Sequence, residues 1–365
     1  RGNLMYLKDL TLVNFKNHRQ SDFHFIDGIN CFVGKNGTGK SNALDAIHYL
    51  SMCKSYISTI DKQNITFGES FFVIQGNFQK EDMEHNVYCG VKTGAKKIFR
   101  KNKADYEKLA DHIGVFPSVV ISPYDRDLIS EGSEIRRKWM DAILSQIDRP
   151  YLEALIKYNK VIEQRNSLLK QQFENGFFDR ENLEVWNLQL ELYGTPIYQK
   201  RKSFIDQFVP LFQKYYHQIG ETREQVLIEY KSNLNDDTFS GLLERNLRKD
   251  TITQYTNGGI HKDDLSFIMN DNHVKKIGSQ GQQKTFLIAL RLAQFEWLNQ
   301  QMQVKPIFLL DDIFDKLDNS RVEKLIRLIS DNHFGQVFIS DTDKNRLEEI
   351  FKNVEIPINF IETVE

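Results

Sequence analysis

The sequence of 365 residues is poor in cysteine and proline, and neither sign of charge is in clear excess. Its three cysteines, Cys31, Cys53 and Cys89, have neither the spacing of a zinc site nor the even number of a disulfide framework. We therefore expect a reducing, cytoplasmic setting. Lysine and arginine number 48 against 50 aspartate and glutamate residues, a net charge of −2. Any contact with nucleic acid must therefore use a local basic patch.

Long hydrophobic runs are absent as well. The apolar run from Phe286 to Leu290 is far shorter than the roughly 18 residues that a membrane span needs, so we expect no membrane partner. Hydrophobic residues make up 40% of the chain and include 26 phenylalanines, enough for a sizeable core. At roughly 150 residues per domain, the length predicts about two domains.

Hydrophobic periodicity divides the chain into a split α/β domain and a helical insertion. Residues 1–125 combine strand patterns, such as Ile29 to Val33, with one helix at about Lys40 to Met52. In residues 126–250 glycine is sparse and apolar side chains recur at threes and fours, which indicates a helical lobe. Strand and loop signals return in residues 251–365. We predict an α/β head that is split in sequence by this lobe, rather than two tandem domains.

A phosphate-binding loop is the most specific motif. Gly34 to Ser41 matches G-x-x-x-x-G-K-[ST] at every position and lies between a predicted strand and a predicted helix. Glycines let backbone N–H groups point at phosphate oxygens, and the helix N-terminus adds positive potential. We expect Lys40 to bind the β- and γ-phosphates of a nucleotide and Ser41 to ligate Mg²⁺. The alternative is a glycine-rich turn that merely starts a helix. The predicted nucleotide-binding residues are Gly34, Lys35, Asn36, Gly37, Thr38, Gly39, Lys40, Ser41 and Asn42.

Two aspartates follow an apolar strand some 270 residues after this loop. Ile307 to Leu310 is a predicted buried strand, and such a strand delivers the residues at its end to the edge of the sheet where ligands of α/β folds bind. We predict that Asp311 holds Mg²⁺, directly or through water, and that Asp312 orients and polarises the attacking water. A strand end with ordinary turn aspartates is the alternative.

A third segment, with the sequence SQGQ, precedes a helix with an apolar face. Ser279 and Gln282 have the spacing of a capping box, and the exposed helix start also offers a second anion site. The order of phosphate loop, S-x-G-Q, Asp-Asp and Leu317-Asp318 resembles the ABC-type ATPase head. In that family two heads pair head to tail, and each signature closes on the nucleotide of the other. Leu317 and Asp318 would form the D-loop between the sites. The signature residues are then Ser279, Gln280, Gly281 and Gln282.

Within the ABC-type ATPases, the chain resembles the RecF family, which is SMC-like but lacks a long arm. The resemblance is carried by Asn14-Phe15-Lys16-Asn17, "GKNGTGKSNALDAI", "SPYDRDLISEG", Arg136-Arg137 and "LLDDIFDKLD". It implies an ATP-dependent homodimer that binds double-stranded or gapped DNA and single/double-strand junctions, and that helps to load a recombinase. RecO and RecR are the implied partners. A weak, DNA-stimulated ATPase and roles in DNA replication, repair and the SOS response are also implied.

The sequence departs from this family in places. Gly259 to Asp264 reads G-I-H-K-D-D where the family tends to have G-P-H-R-D-D, and no switch histidine follows Val337 to Ile339. An SMC-like ATPase of an antiviral or chromosome-maintenance system is one alternative, but we expect no space after Asp341 for the nuclease domain of such a system. A transport ATPase subunit is another, and it predicts a switch histidine and a surface that couples to the membrane.

Basic residues concentrate between Lys92 and Lys108, where only Asp105 and Glu107 oppose them. On a predicted hairpin they would follow phosphates and make DNA binding steeply salt-dependent, unless they form only a solvated face. Two further basic triplets, at 136–138 and 200–202, are either DNA contacts or helix surface. The candidate DNA-binding residues are Lys92, Lys96, Lys97, Arg100, Lys101, Lys103, Lys108, Arg136, Arg137, Lys138, Lys200, Arg201 and Lys202.

Overall fold

The computed structural model describes residues 4–220, 223–314, 317–331 and 333–364. These residues form two compact units. The first unit comprises the described residues of Arg1–Arg126, Lys214–Thr222 and Ser279–Glu365, and the second comprises those of Asp127–Gln213 and Arg223–Gly278.

Fourteen strands and ten α-helices lie within the described residues. The strands are β1 (Met5–Phe15), β2 (His18–His24), β3 (Ile29–Val33), β4 (Phe71–Lys80), β5 (Met83–Lys92), β6 (Ile98–Lys101), β7 (Ala104–Asp105), β8 (Ser118–Ile121), β9 (Val226–Lys231), β10 (Asp264–Met269), β11 (Asn272–His273), β12 (Ile307–Asp311), β13 (Val337–Asp341) and β14 (Ile358–Glu362). The helices are α1 (Lys40–Met52), α2 (Asp127–Ser130), α3 (Ser133–Ile147), α4 (Arg149–Asn175), α5 (Arg180–Ile219), α6 (Phe239–Thr253), α7 (Val274–Ile277), α8 (Gln280–Met302), α9 (Asn319–Ser330) and α10 (Lys344–Ile350).

A five-stranded parallel sheet in the order β14-β3-β13-β12-β8 belongs to the first unit. Every residue of β3, β12 and β13 is buried, which is typical of parallel strands covered on both faces. The bounds of β3 and α1 confirm the strand and the helix predicted there. Because these three strands are neighbours and parallel, their carboxyl ends meet at one edge of the sheet.

A six-stranded antiparallel sheet in the order β2-β1-β4-β5-β6-β7 completes the strands of the first unit. Alternate side chains of β4, including Phe72, are buried, and the Phe72 ring lies 5.7 Å from that of Tyr49 on α1. Gly76 permits this close packing, because a Cβ at this position would lie 2.7 Å from Leu50 Cδ1. Helix α1 therefore packs on this sheet, which places the phosphate loop, just before α1, on a rigid support.

The second unit contains most of the helices and a three-stranded sheet in the order β11-β10-β9. Helix α4 starts with Pro150 in its first turn, as predicted, and spans 27 residues instead of about 22. Strand β9, which the periodicity did not predict, pairs with β10. Since this pairing joins 251–278 to the helical unit, the division in the structure falls at 278/279 and not at the expected 250/251. None of the described helices combines the length and the apolar character that a membrane-spanning helix requires.

Candidate nucleotide-binding site

The loop between β3 and α1 has the backbone that the motif predicts. Gly34, Gly37 and Gly39 have φ angles of 154°, 87° and 93°, values that other residues rarely adopt. Gly39 is the N-cap of α1 and brings no side chain to the first N–H groups of the helix. Such a helix start is a ready binding site for an anion.

Lys40 extends across this loop. Its Nζ donates to the carbonyl oxygens of Gly34 and Lys35, both at 2.6 Å. Burial lowers the pKa of Lys40, and the nearby carboxylates of Asp312 and other aspartates oppose that shift. The partners of the ammonium are neutral carbonyls, and phosphate oxygens form stronger, charge-assisted hydrogen bonds. Lys40 is therefore suited to bind a phosphate chain in the loop.

The predicted metal ligands lie side by side. Ser41 Oγ donates to Asp311 Oδ1 over 2.7 Å, although 270 positions separate the two residues. Ser340 Oγ donates to the same carboxylate oxygen at 2.6 Å, and the Tyr56 hydroxyl donates to Asp311 Oδ2 at 2.9 Å. Burial, reinforced by Asp311, raises the pKa of Tyr56 well above its usual value, so Tyr56 stays a donor. A hydroxyl and a carboxylate are the hard oxygen donors that Mg²⁺ prefers, so this pair fits that ion.

Asp312 follows Asp311 in a left-handed conformation, with a φ angle of 52°. Its backbone N–H donates to Ser340 Oγ at 2.9 Å, so a single serine fixes the positions of both aspartates. Asp312 lines an open cavity of about 240 Å³ next to the phosphate loop. The other lining residues are Asn36, Gly37, Gly39, Lys40, Ser41, Asn42, Ser340 and Thr342. Ser340 and Thr342 had no predicted role, since only the strand pairing of β12 with β13 brings them here.

The turn between β1 and β2 supports the phosphate loop from the side. Asn17 Nδ2 donates to the Gly37 carbonyl at 2.9 Å, and Asn42 Nδ2 donates to Asn17 Oδ1 at 2.7 Å. His18 Nε2–H donates to the Gly39 carbonyl at 2.9 Å. Burial lowers the pKa of His18, which keeps its other nitrogen neutral. Asn17 came from the family resemblance without a role, and the structure places it against the loop.

The start of α8 has the predicted capping box. The backbone N–H of Gln282 donates to Ser279 Oγ at 3.2 Å, and the N–H of Ser279 donates to Gln282 Oε1 at 2.8 Å. Ser279 and Gln280 are exposed, so this helix start is accessible. At Gly281 the nearest atom to an added Cβ would be Arg321 NH2 at 3.5 Å, an ordinary contact.

Arg321 connects this helix to the predicted D-loop. Its Nε donates to Thr285 Oγ1, on the first turns of α8, at 2.6 Å. Its guanidinium also pairs with the carboxylate of Asp318. Asp318 caps α9 by accepting from the Arg321 N–H at 3.0 Å, and this hydrogen bond is the main reason that its pKa is lowered. Leu317 lines, with Asp312, a second cavity of about 290 Å³. Sequence reasoning missed Arg321, because its contacts come from packing rather than from a motif.

The predicted DNA-binding residues of the first unit fall into two groups. Lys97 Nζ lies 2.8 Å from both Asp61 and the Cys53 carbonyl, and only 16% of its side chain is exposed. Arg100 pairs with Asp105. Within β5, β6 and the turns beside them, Lys92, Lys96, Lys103 and Lys108 are exposed, and Lys101 is half-buried. The exposed group is therefore smaller than the run of basic residues suggests.

The basic residues of the second unit are mostly in structural contacts. Arg136 binds Asp264 through Nε at 2.7 Å and NH2 at 3.1 Å, and Arg137 NH1 donates to the Asp263 carbonyl at 2.7 Å. Arg201 is 1% exposed and pairs with Asp263 at 2.9 Å, inside the unit. Both alternatives given for Arg201, DNA contact and helix surface, are wrong, because a guanidinium buried in the core does not reach a phosphate backbone. Lys138 and Lys200 are exposed and form surface ion pairs.

A phosphate loop, an aspartate pair at the end of a buried parallel strand and an exposed S-x-G-Q helix start lie on one α/β unit. Together they define an ABC-type ATPase head. The family model described as RecF/RecN/SMC N terminal domain matches residues 6–360, and the chain belongs to this family.

Relatives named DNA replication and repair protein RecF show to which branch of this family the chain belongs. The one from Flavobacterium johnsoniae is 50% identical over 349 residues, which is 96% of this chain and 97% of the relative. The one from Parabacteroides distasonis is 48% identical over 346 residues, 95% of this chain and 94% of the relative. The RecF family suggested by the motifs is thus confirmed.

Solved structures agree with this placement. A structure described as the recombination mediator protein RecF with ATP in the RecFOR pathway has a TM-score of 0.88 at 30% identity, covering 94% of both chains. An Smc head domain with an extended coiled coil, from Pyrococcus furiosus, has a TM-score of 0.57 at 15% identity, and covers 99% of this chain and 94% of its own. The predicted class, an ABC-type head of the SMC and RecF kind, is confirmed.

Proposed function

We propose that this chain is an ATP-hydrolysing DNA replication and repair protein of the RecF type, in which ATP joins two copies into a clamp on DNA. The contact of 2.7 Å between Ser41 Oγ and Asp311 Oδ1 carries the proposal, because it joins the phosphate loop to the strand-end carboxylates. The names of the relatives in Flavobacterium and Parabacteroides support the biological role.

In this proposal each residue of the site has one task. Lys40 exchanges its two carbonyl partners for phosphate oxygens, and the glycine backbone of the loop donates N–H groups to them. Ser41 and Asp311 would hold Mg²⁺, which would neutralise phosphate charge when bound. Asp312 orients the attacking water. Ser340 holds the Asp311 carboxylate and the Asp312 backbone in place, since it donates to Asp311 at 2.6 Å and accepts from the Asp312 N–H at 2.9 Å.

The second copy completes the site. Ser279 and Gly281, at the exposed start of α8, would bind the γ-phosphate held by the other chain, and Leu317 and Asp318 would lie between the two sites. A symmetric, head-to-tail dimer with two nucleotides follows from this arrangement. Because the nucleotide contacts both chains only when they are closed, ATP stabilises the dimer by mass action.

DNA and the pathway partners complete the proposal. The exposed basic residues of the β5–β6 region, Lys92, Lys96 and Lys103, would follow the phosphates of double-stranded or gapped DNA. We propose RecO and RecR as partners. A solved structure described as RecF in the RecFOR pathway, 30% identical to this chain, supports that proposal.

Two substitutions test the assigned roles. Lys40→Ala is expected to abolish ATP binding, since the cation that faces the phosphates is lost. Asp312→Asn is expected to keep ATP binding and to lower turnover by roughly 10²-fold, a typical loss for one acid–base group. Calorimetric titration with ATP and a phosphate-release assay measure the two effects.

Exposed residues of the same type are matched controls. Lys352→Ala and Asp331→Asn change exposed side chains of the same unit and should behave like the unaltered chain. Unchanged turnover in Asp312→Asn would show that this carboxylate does not orient the attacking water. Unchanged ATP binding by Lys40→Ala would show that the phosphate loop is not the ATP-binding site.

A further inference from the structure

One phenylalanine contrasts with the buried rings of the first unit. Phe67 is 97% exposed, whereas Phe15, Phe72 and Phe78 are fully buried. An exposed large ring costs free energy in water, and here both faces of the ring are accessible.

The turn that presents Phe67 is tightly held. The backbone N–H of Thr66 donates to the Asn14 carbonyl at 2.9 Å, and Thr66 Oγ1 donates to the Lys16 carbonyl at 2.7 Å. After Phe67 in the chain, Gly68 has a φ angle of 87°, and the Glu69 N–H donates to the Thr66 carbonyl at 3.0 Å. The backbone that carries the ring is therefore held on both sides of Phe67.

Exposed lysines lie around this turn, whose own acidic residue, Glu69, pairs with Arg19 at 3.1 Å. In the antiparallel pair β4–β5, Phe71 lies opposite Lys92, and the Thr93 N–H donates to the Ser70 carbonyl at 2.9 Å. These contacts bring the end of β5, with Lys92, and the turn that follows it, with Lys96, close to the segment that leads from Phe67 into β4. Lys62 lies just before it in the chain. The three lysines are exposed, and within the described part of the chain they form no ion pair.

We propose that Phe67 stacks on a nucleobase at a single/double-strand junction while Lys62, Lys92 and Lys96 hold the adjacent phosphates. This inference rests on the proposed DNA-binding function. It adds an aromatic contact with a base to the phosphate contacts proposed for the lysines. Base stacking on one aromatic ring and nearby cations are the two elements of sequence-independent recognition of single strands. A junction offers a base face that is already open, so the ring need not separate stacked pairs.

The alternative partner, a protein, fits this surface less well. A stable protein interface buries about 800 Å² on each side around an apolar centre. Around the Phe67 turn, Ile60, Phe71 and Ile98 are partly exposed as well, but exposed lysines without an ion pair among the described residues lie between these side chains. The charge of this surface therefore favours a phosphate-bearing ligand with a flat base.

The test uses the full chain with ATP and a duplex that carries a single-stranded overhang, with 2-aminopurine at the junction. Phe67→Ala is expected to weaken junction binding about 5- to 150-fold and to abolish the fluorescence change of the probe. The dependence of affinity on salt should keep its slope, because no phosphate contact is lost. Phe67→Trp should restore binding, since indole also stacks.

Two other substitutions separate this inference from the underlying function. Lys92→Glu with Lys96→Glu should lower the salt slope by about two, since two phosphate contacts are removed. Phe177→Ala alters a ring of the second unit that is 68% exposed, and it should leave binding unchanged. If the lysine variant binds DNA with an unaltered slope, the basic surface itself is wrong. If the lysine variant behaves as expected, two results would refute stacking at the junction. One is that Phe67→Ala binds the junction as tightly as the unaltered chain, and the other is that it loses the same affinity for continuous duplex as for the junction.

Discussion

At the residue scale, alanine at two glycines of the phosphate loop should have different effects. At Gly37 alanine would only strain the backbone, whereas at Gly39 it would also collide with neighbouring side chains. A Cβ on Gly39 would lie 2.5 Å from His18 Nε2 and 2.8 Å from Asn17 Oδ1, whereas a Cβ on Gly37 meets no atom within 4 Å. Both residues are left-handed, so alanine at either position costs roughly 1–2 kcal/mol of strain. Only Gly39→Ala should also displace the residues that support the loop.

We therefore expect Gly39→Ala to weaken ATP binding at least about tenfold more than Gly37→Ala. Calorimetric titration of the two variants side by side measures the difference, and Gly94→Ala, another left-handed position with open space, controls for strain alone. Equal losses in Gly37→Ala and Gly39→Ala would show that His18 and Asn17 do not set the shape of the loop.

Arg321 provides a second prediction at this scale. Its contacts with Thr285 and Asp318 hold the start of α8 and the D-loop residue in one arrangement. Arg321→Ala should leave ATP binding by the single chain unchanged and lower the turnover of the dimer about tenfold, since the paired surfaces lose their alignment. Arg321→Lys should restore little, because lysine lacks the planar fork.

Measuring turnover against protein concentration distinguishes this positioning role from a merely structural one. A structural role predicts a lower unfolding temperature with an unchanged dependence on concentration. For Arg321→Ala we expect the opposite result. The unfolding temperature should stay normal, and turnover should reach its maximum only at higher protein concentration.

The sequence predicts some of these residues and not others. Gly34 to Ser41 follow one another in the chain, and the backbone conformation of the loop depends mostly on this local order. Ser340 and Tyr56 reach Asp311 only through strand order and helix packing, so no spacing announces them. Arg201 was misread because three consecutive basic residues on a helix face different ways, and the middle one faces the core.

At the scale of elements, the helical unit depends on buried ion pairs. Arg201 pairs with Asp141 and Asp263, both at 2.9 Å, from a position that is 1% exposed. Arg201→Met should lower the free energy of unfolding by roughly 3–5 kcal/mol, because two carboxylates lose their partner in a poorly solvated site. Urea unfolding followed by circular dichroism measures this loss.

The adjacent residue is the matched control. Lys200 pairs with Asp148 at 2.7 Å, but 58% of its side chain is exposed. Lys200→Met should therefore cost no more than about 1 kcal/mol. If Arg201→Met and Lys200→Met lowered the free energy of unfolding by similar amounts, burial would not explain the contribution of Arg201 to stability.

Elements were predictable where the pattern is strong and local. The buried strand Ile29–Val33 and the helix Lys40–Met52 were predicted with the bounds that the structure has. Strand β9 was missed because it lies inside a mainly helical stretch and pairs with β10 across more than 30 positions. Pairing at that distance is decided by tertiary contacts, which a single sequence does not display.

At the scale of the whole molecule, the split of the head was predictable and its strand order was not. Motifs at both ends of the chain belong to one chemistry, and this requires that residues 1–125 and 251–365 contribute to a common site. The order β14-β3-β13-β12-β8 depends on which strands pair, and no feature of the motifs specifies that. The proposed dimer belongs to the same scale, because in that proposal a second copy completes the site.

A substitution at Gly281 should weaken the proposed dimer without disturbing the single chain. A Cβ at Gly281 would lie 3.5 Å from its nearest neighbour, so alanine is tolerated inside the chain. The methyl group would stand where the γ-phosphate of the partner approaches the helix start. Gly281→Ala should bind ATP normally and dimerise at least about tenfold more weakly.

Sedimentation velocity of the Asp312→Asn chain, with and without ATP and Mg²⁺, measures whether ATP joins two copies. We expect a single chain without nucleotide, a dimer with ATP, and a shift back towards the single chain when Gly281→Ala is added. A chain that stays single when saturated with a non-hydrolysable ATP analogue, at high protein concentration and with gapped duplex present, would contradict this expectation.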